Sequence, residues 1–450
     1  MLKKIIIKYL FNLTRKIFFF FLFSFSTYLS AQEKSMNSVF LDIPFIDIPN
    51  GSNKYNPLID PSMQESLRYT KSMYHLTNYT LSRMFPEKNG KVVWYGALTV
   101  FAANVLISSM PIPLYDVWMH EEWHRAVMTQ RNISSHNGVY NFDFGSSSIP
   151  VDRVTDDDLI RLKKEYPAEQ VRLSAAGMES QAALITELAK DTFYRNIKTF
   201  HTGTMLLQAF SIYNYLSVCN SNENLTMSKE ELTDISKRDF TGYDCTAWVY
   251  DLFRPDEPYT SRGLAPSGIG INRYINYSQL TETEKRFLYR NKNLSLLNFT
   301  QSIAEIIEPF EFGEHKFQVA MSHYLTSFGD AIDTNLFYKN QQINLFAKIH
   351  VYENAVRNFL GFTLESYDNQ IWDSPFYFSP KISIWEQPVN QRFDDKTGKM
   401  GILIALKSAY EIAHNFQSYI ELIGKSEGWV AGEVNLNSGL RTLAGITYKF

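Results

Sequence analysis

From Ile343 onward apolar side chains recur at every second position. Ile343, Leu345, Ala347, Ile349 and Val351 alternate with Asn344, Lys348 and His350, and Leu360, Phe362 and Leu364 alternate with Gly361, Thr363 and Glu365. A period of two is that of a strand with one apolar face. Ile402 to Leu406 is a continuous apolar run of strand length, and turns such as Lys425-Ser426-Glu427-Gly428 and Asn437-Ser438-Gly439 separate further runs. Residues 309–450 therefore predict about eight or nine antiparallel strands, a number within the range of the smaller membrane barrels. Period two alone leaves open whether the apolar face meets lipid or the core of a soluble sandwich.

Upstream the period changes to that of a helix. Met63, Leu67, Met73, Tyr74 and Leu81 mark one helix between Pro61 and Phe85, which Pro86 and Gly90 close. Further helices are expected over Tyr115–Met128, Val171–Lys190, Met205–Val218 and 281–307. Val92 to Leu114 carries no charge. Its length raises a membrane span and, with it, an inner-membrane protein; its Gly, Asn and Ser content and Pro111 favour a buried core helix. Residues 32–60, rich in Asn, Pro and Asp, read as an extended lead-in. The fold class expected is α+β and multidomain: a mainly helical domain over 61–308, then an antiparallel β-barrel-like domain over 309–450.

Lys3, Lys4, Lys8, Arg15 and Lys16, followed by the phenylalanine-rich run Ile17 to Phe23 and the small pair Ser30-Ala31, have the layout of a secretory signal over 1–31. Leu29 fits the cleavage pattern imperfectly, so an uncleaved anchor is the alternative. The chain has only two cysteines, Cys219 and Cys245. Export would permit a disulfide between them, and no C-x-x-C spacing points to metal. A formal charge of -3 does not suggest nucleic acid as a partner.

The chemistry concentrates in Tyr115-Asp116-Val117-Trp118-Met119-His120-Glu121-Glu122-Trp123-His124-Arg125. On a helix His120 and His124 project from one face one turn apart, close enough to share a metal ion, with Glu121 beside them. Asp116 is the expected N-cap. In the helix around Val171–Lys190, Glu179 is a lone carboxylate in the uncharged stretch Ser174-Ala175-Ala176-Gly177-Met178, and a buried carboxylate needs a metal or a base such as Arg172. Glu187, Asp251 and the loop residue His136 are weaker ligand candidates. His201 and Tyr194 could each donate a hydrogen bond to an oxyanion, with nothing in the spacing to select either.

The His-Glu-x-x-His segment resembles the zincin metallopeptidases, over little more than that helix and one later residue. Gln130 stands where the longer metzincin pattern has a third histidine, so the chain is more like the glutamate-ligand branch. The resemblance implies Zn²⁺ held by His120, His124 and Glu179, Glu121 as general base, and a peptide or protein substrate. The terminal run Ala444, Ile446, Tyr448, Phe450 resembles the last strand of bacterial outer-membrane β-barrels, implying an outer-membrane or periplasmic location and contact with a membrane. The competing expectation is a non-catalytic envelope protein, structural or transporting, whose helical part docks on a partner.

Overall fold

The computed structural model describes residues 39–49, 60–88, 91–141, 149–195, 200–307, 309–371 and 374–449. The expected signal segment and the terminal Phe450 lie outside them. The chain folds as α+β. Its helices of eight residues or more are α1 (Met63–Arg83), α2 (Trp94–Ser108), α3 (Asp116–Thr129), α4 (Asp156–Glu165), α5 (Pro167–Arg195), α6 (Phe200–Cys219), α7 (Asp244–Phe253), α8 (Glu282–Leu294) and α9 (Phe299–Ile306). The long strands are β1 (Phe40–Ile48), β2 (Phe310–Phe312), β3 (His315–Leu325), β4 (Asp330–Lys339), β5 (Asn344–Glu353), β6 (Asn358–Ser366), β7 (Phe376–Pro388), β8 (Gly398–Ala413), β9 (Phe416–Lys425) and β10 (Gly439–Lys449).

β2 to β10 form an antiparallel meander in chain order, and the N-terminal β1 pairs with β10, Asp42 opposite Thr447. The lead-in thus contributes a strand to the sheet. With the short strand Asn369–Gln370 the sheet counts eleven strands. It is not closed into a barrel: among the described residues β1 and β2 do not pair with each other. α1 lies along β1, and α9 lies against β3.

The sheet's outward face is apolar, and its inward face mixes polar groups with the apolar ones that join the core. Inward-facing positions carry a ladder of polar groups across four strands: Asp333 Oδ1 is 2.6 Å from His350 Nδ1, His350 Nε2 is 2.7 Å from Thr363 Oγ1, and Thr363 Oγ1 is 2.7 Å from Ser383 Oγ. Outward-facing positions carry Leu360, Phe362, Ile382, Ile384, Ile402 and Ile404, all exposed. α1 and the C-terminal half of α5 fill the concave side, with Arg68 on Glu421 at 2.5 Å and Lys190 on Glu365 at 2.7 Å. Buried charges persist in such a place only when paired.

Helical and strand segments share one apolar core, which runs from Met63 and Trp123 through Leu184 to Phe337, Trp385 and Trp429. The uncharged α2 ends at Ser108 and buries Gly96, Val100 and Asn104 on one side. Among the described residues no helix is long and apolar enough to cross a membrane.

Candidate metal centre

α3 carries the motif, and its neighbours bury it on nearly every side: Trp118, Met119, Trp123 and Met128 are all in the core. Tyr115 rather than Asp116 is the N-cap, and it makes no side-chain cap bond. Asp116 instead ties three helices together, accepting from Tyr74 Oη of α1 at 2.6 Å and from Gln208 Nε2 of α6 at 2.9 Å. The remaining face presents His120, Glu121 and His124.

α5 starts at Pro167, where a missing N–H costs nothing, and crosses α3 at Gly177. A Cβ added there would lie 2.2 Å from His120 Nε2 and 2.4 Å from Cδ2 and Cε1. The His120 ring therefore lies directly on the α5 backbone, in a space only glycine leaves open. One turn earlier, the Leu173 carbonyl accepts from His124 Nδ1 at 2.5 Å. That bond orients the ring and aims Nε2 into the site.

The third group is Asp244, the first residue of α7. Its Oδ2 lies 3.0 Å from His120 Nε2 and 3.3 Å from His124 Nε2, and the three donor atoms all lie within 4.8 Å of one another. Asp244 is held by what surrounds it. Its backbone N–H donates to Tyr215 Oη of α6 at 3.1 Å, and a disulfide joins Cys245 beside it to Cys219 at the end of α6. Tyr215 also stands edge-on to the His120 ring at 6.1 Å, and the Phe240 ring is 5.0 Å from that of His124.

This arrangement suits a metal ion for a specific reason. With Nδ1 engaged by Leu173, His124 turns its Nε2 on the Asp244 carboxylate. His124 Nε2 is buried and has no hydrogen-bond partner. Two acceptors facing each other repel unless a proton or a metal cation sits between them. Burial holds the His120 imidazole below its ordinary pKa even though the Asp244 hydrogen bond pulls the other way, which favours the neutral, metal-binding form. Burial alone would raise the Asp244 carboxyl, but His124 and His120 outweigh it and keep the group ionised well below the usual carboxylate range. Burial, followed by the nearby Asp244 and Asp239 carboxylates, pushes Glu121 well above 4.5, a shift that a cation at the cluster would oppose.

Of the residues singled out in the sequence, His120 and His124 meet at this site, and Glu121 lies beside them on α3, near enough to Asp244 to feel its charge. The structure does not bring Glu179 to the imidazoles. Its carboxylate forms a buried pair with Arg172 at 2.8 Å and accepts from Gly432 N at 2.9 Å and Trp429 Nε1 at 3.4 Å. Two residues past Gly177, about half a turn of α5, turn it away from α3 and toward the loop between β9 and β10. Glu187 pairs with Lys190 and Lys71, Asp251 with Arg262 and Lys163, and His136 with Asp152. His201 contacts His75, and Tyr194 donates to the Leu345 carbonyl, so neither oxyanion candidate is turned toward the cluster. Asp244 escaped the sequence reading. The signal available was its neighbour, since a cystine at Cys245 would anchor the adjacent carboxylate.

The chain matches no family model, and no curated protein or solved structure is significantly similar to it.

Proposed function

We propose that the protein is a zinc-dependent hydrolase of the cell envelope, a metallopeptidase-type enzyme in which His120, His124 and Asp244 hold the metal. The observation that carries this reading is the set of two imidazole nitrogens and one carboxylate oxygen within 4.8 Å of one another, with Glu121 next to His120 on the helix and close to Asp244. Two neutral nitrogens and one oxygen are the donor set of a catalytic zinc site that keeps a position open for substrate. The bound ion would supply Lewis acidity, polarising a carbonyl and lowering the pKa of water.

Glu121 is the proton carrier. It lies about 100° round the helix from His120, outside the three-donor group but near enough to Asp244 to feel its charge, a place from which it would take a proton from the attacking water and pass it to the leaving nitrogen. His124 is oriented through Leu173, His120 is seated by Gly177, and Asp244 is held by Tyr215 and the cystine. Tyr215 and Phe240 give the site aromatic walls.

The test is Glu121→Gln in a protein with zinc loaded and quantified, assayed on a peptide library. Zinc retained at one ion per chain with turnover abolished is the expected result. Turnover at the parental rate would remove Glu121 from the mechanism. A parent protein that binds no zinc with a tight, stoichiometric affinity would remove the enzyme reading and leave a non-catalytic envelope protein.

A further inference from the structure

We infer that the outer face of the sheet, together with α2 and α9, forms a continuous belt that faces the hydrocarbon of a lipid bilayer. This stands independently of the metal centre.

The first observation is that the apolar side faces outward on helices as well as on strands. On α9 and the turn before it, Asn298 and Gln301 are buried, Gln301 donating to Ser322 Oγ at 2.8 Å, while Leu296, Ile303 and Ile307 are exposed. On α2, Asn104 is buried and donates to Asn78 Oδ1 at 2.8 Å, while Leu98 and Leu106 are exposed. A water-facing helix distributes these residues the other way round.

The second is where those helices lie. The sheet's free edges are β1 and β2, and the packing runs from β1 to α1, to α2, to α6, to α9 and back to β3. Helices thus occupy the gap that strand pairing leaves, and they continue the apolar surface of the strands across it. Neither helix needs to span a membrane alone, because each closes only part of a wall.

The third identifies the occupant. At one end of the sheet the strands carry outward aromatic side chains: Phe376 and Tyr410 with ring centroids 5.0 Å apart, Phe317 and Tyr338 at 5.1 Å, Phe416 and Tyr448 at 6.4 Å. At the other end are ion pairs, Arg357 with Glu386 and Lys399 with Glu427. Between these borders, on β8, lie Met400, Ile402, Ile404 and Leu406, with Ile404 58% exposed. The strand from Met400 to Tyr410 extends about 33 Å at roughly 3.3 Å per residue, and about 25 Å measured across a sheet tilted by ~40°, which is the height of the apolar band of a membrane barrel. An aromatic girdle bordering such a band is the pattern set by the bilayer interface. A second protein copy would explain an apolar patch on one side, not a band with exposed apolar side chains on nine of the ten strands and on two helices.

The site-directed test uses the detergent-purified full chain, with its two cysteines joined in the disulfide, carrying single nitroxide labels at Leu98→Cys, Ile303→Cys, Ile404→Cys and Lys399→Cys, reconstituted in phosphatidylcholine vesicles. The ratio of collision with oxygen to collision with an aqueous nickel chelate is expected to be severalfold higher at 98, 303 and 404 than at 399. A ratio at 404 equal to that at 399 overturns the belt. A high ratio at 404 with an aqueous ratio at 98 or 303 overturns its closure by helices. Labels shielded from both reagents overturn the lipid assignment in favour of a contact between copies of the chain.

Discussion

Gly177→Ala is the most exacting perturbation of the metal centre, because it adds one methyl group and leaves all three donors in place. That methyl carbon would sit 2.2 Å from His120 Nε2. To regain an ordinary contact the ring has to retreat by roughly 1 Å, since atoms of this kind rest about 3.5 Å apart. Metal-ligand bonds tolerate about 0.2 Å, so His120 cannot keep both its place and its bond. Disturbing the support of a ligand costs about 10- to 100-fold in metal affinity, or roughly 1.4–2.7 kcal/mol, and loss of the ligand itself sets that range as a minimum. The helix should not suffer, because Ala in a helix interior is favoured over Gly by about 1 kcal/mol. Zinc affinity measured by competition with a chromogenic chelator, beside thermal denaturation with the metal chelated, separates the two effects. Weakened zinc binding with unreduced metal-free stability is the expected pair of results. Zinc affinity equal to that of the parent would refute the placement of His120 against α5.

Glu179→Gln should leave zinc stoichiometry unchanged and cost about 3–5 kcal/mol in stability, because it strands the buried Arg172 without its charge partner; loss of zinc at unchanged stability would reinstate Glu179 as a ligand. Asp251 is held below 3.8 because Arg262 and Lys163 together outweigh the burial that would raise it. The stability this gives is present above pH 3.8 and is lost as pH falls through the lower folded value, so Asp251→Asn should flatten the loss of thermal stability below about pH 4; an unchanged acid limb in melts from pH 2 to pH 5 would contradict that. Replacing Cys219 and Cys245 together by Ser opens a loop spanning a sequence separation of 26 and should cost about 3.5 kcal/mol. It should also weaken zinc binding through Asp244, and unaltered affinity would show that Tyr215 alone suffices to hold that carboxylate.

Much of the molecule follows from local pattern. The period-two runs after Pro309 became β3 to β10, because alternation is a property of a single strand and needs no knowledge of its neighbours. His120 and His124 meet on one face because residues four apart on a helix fix their own geometry. The cysteine pair, left open by the sequence, is joined.

What the tertiary structure decided is everything that depends on which elements touch. Glu179 and Asp244 are both buried carboxylates on helices, and nothing in either segment says which one faces the imidazoles. The crossing of α5 over α3 at Gly177 decides it, by carrying Glu179 past the site to Arg172 and leaving the place to a residue far along the chain. The same holds for β1, whose apolar run acquires a strand partner only when the C-terminal strand lies beside it. It holds too for the sense of the sheet's two faces: a period of two states that one face is apolar, while the helices that fill the concave side determine that this face points outward.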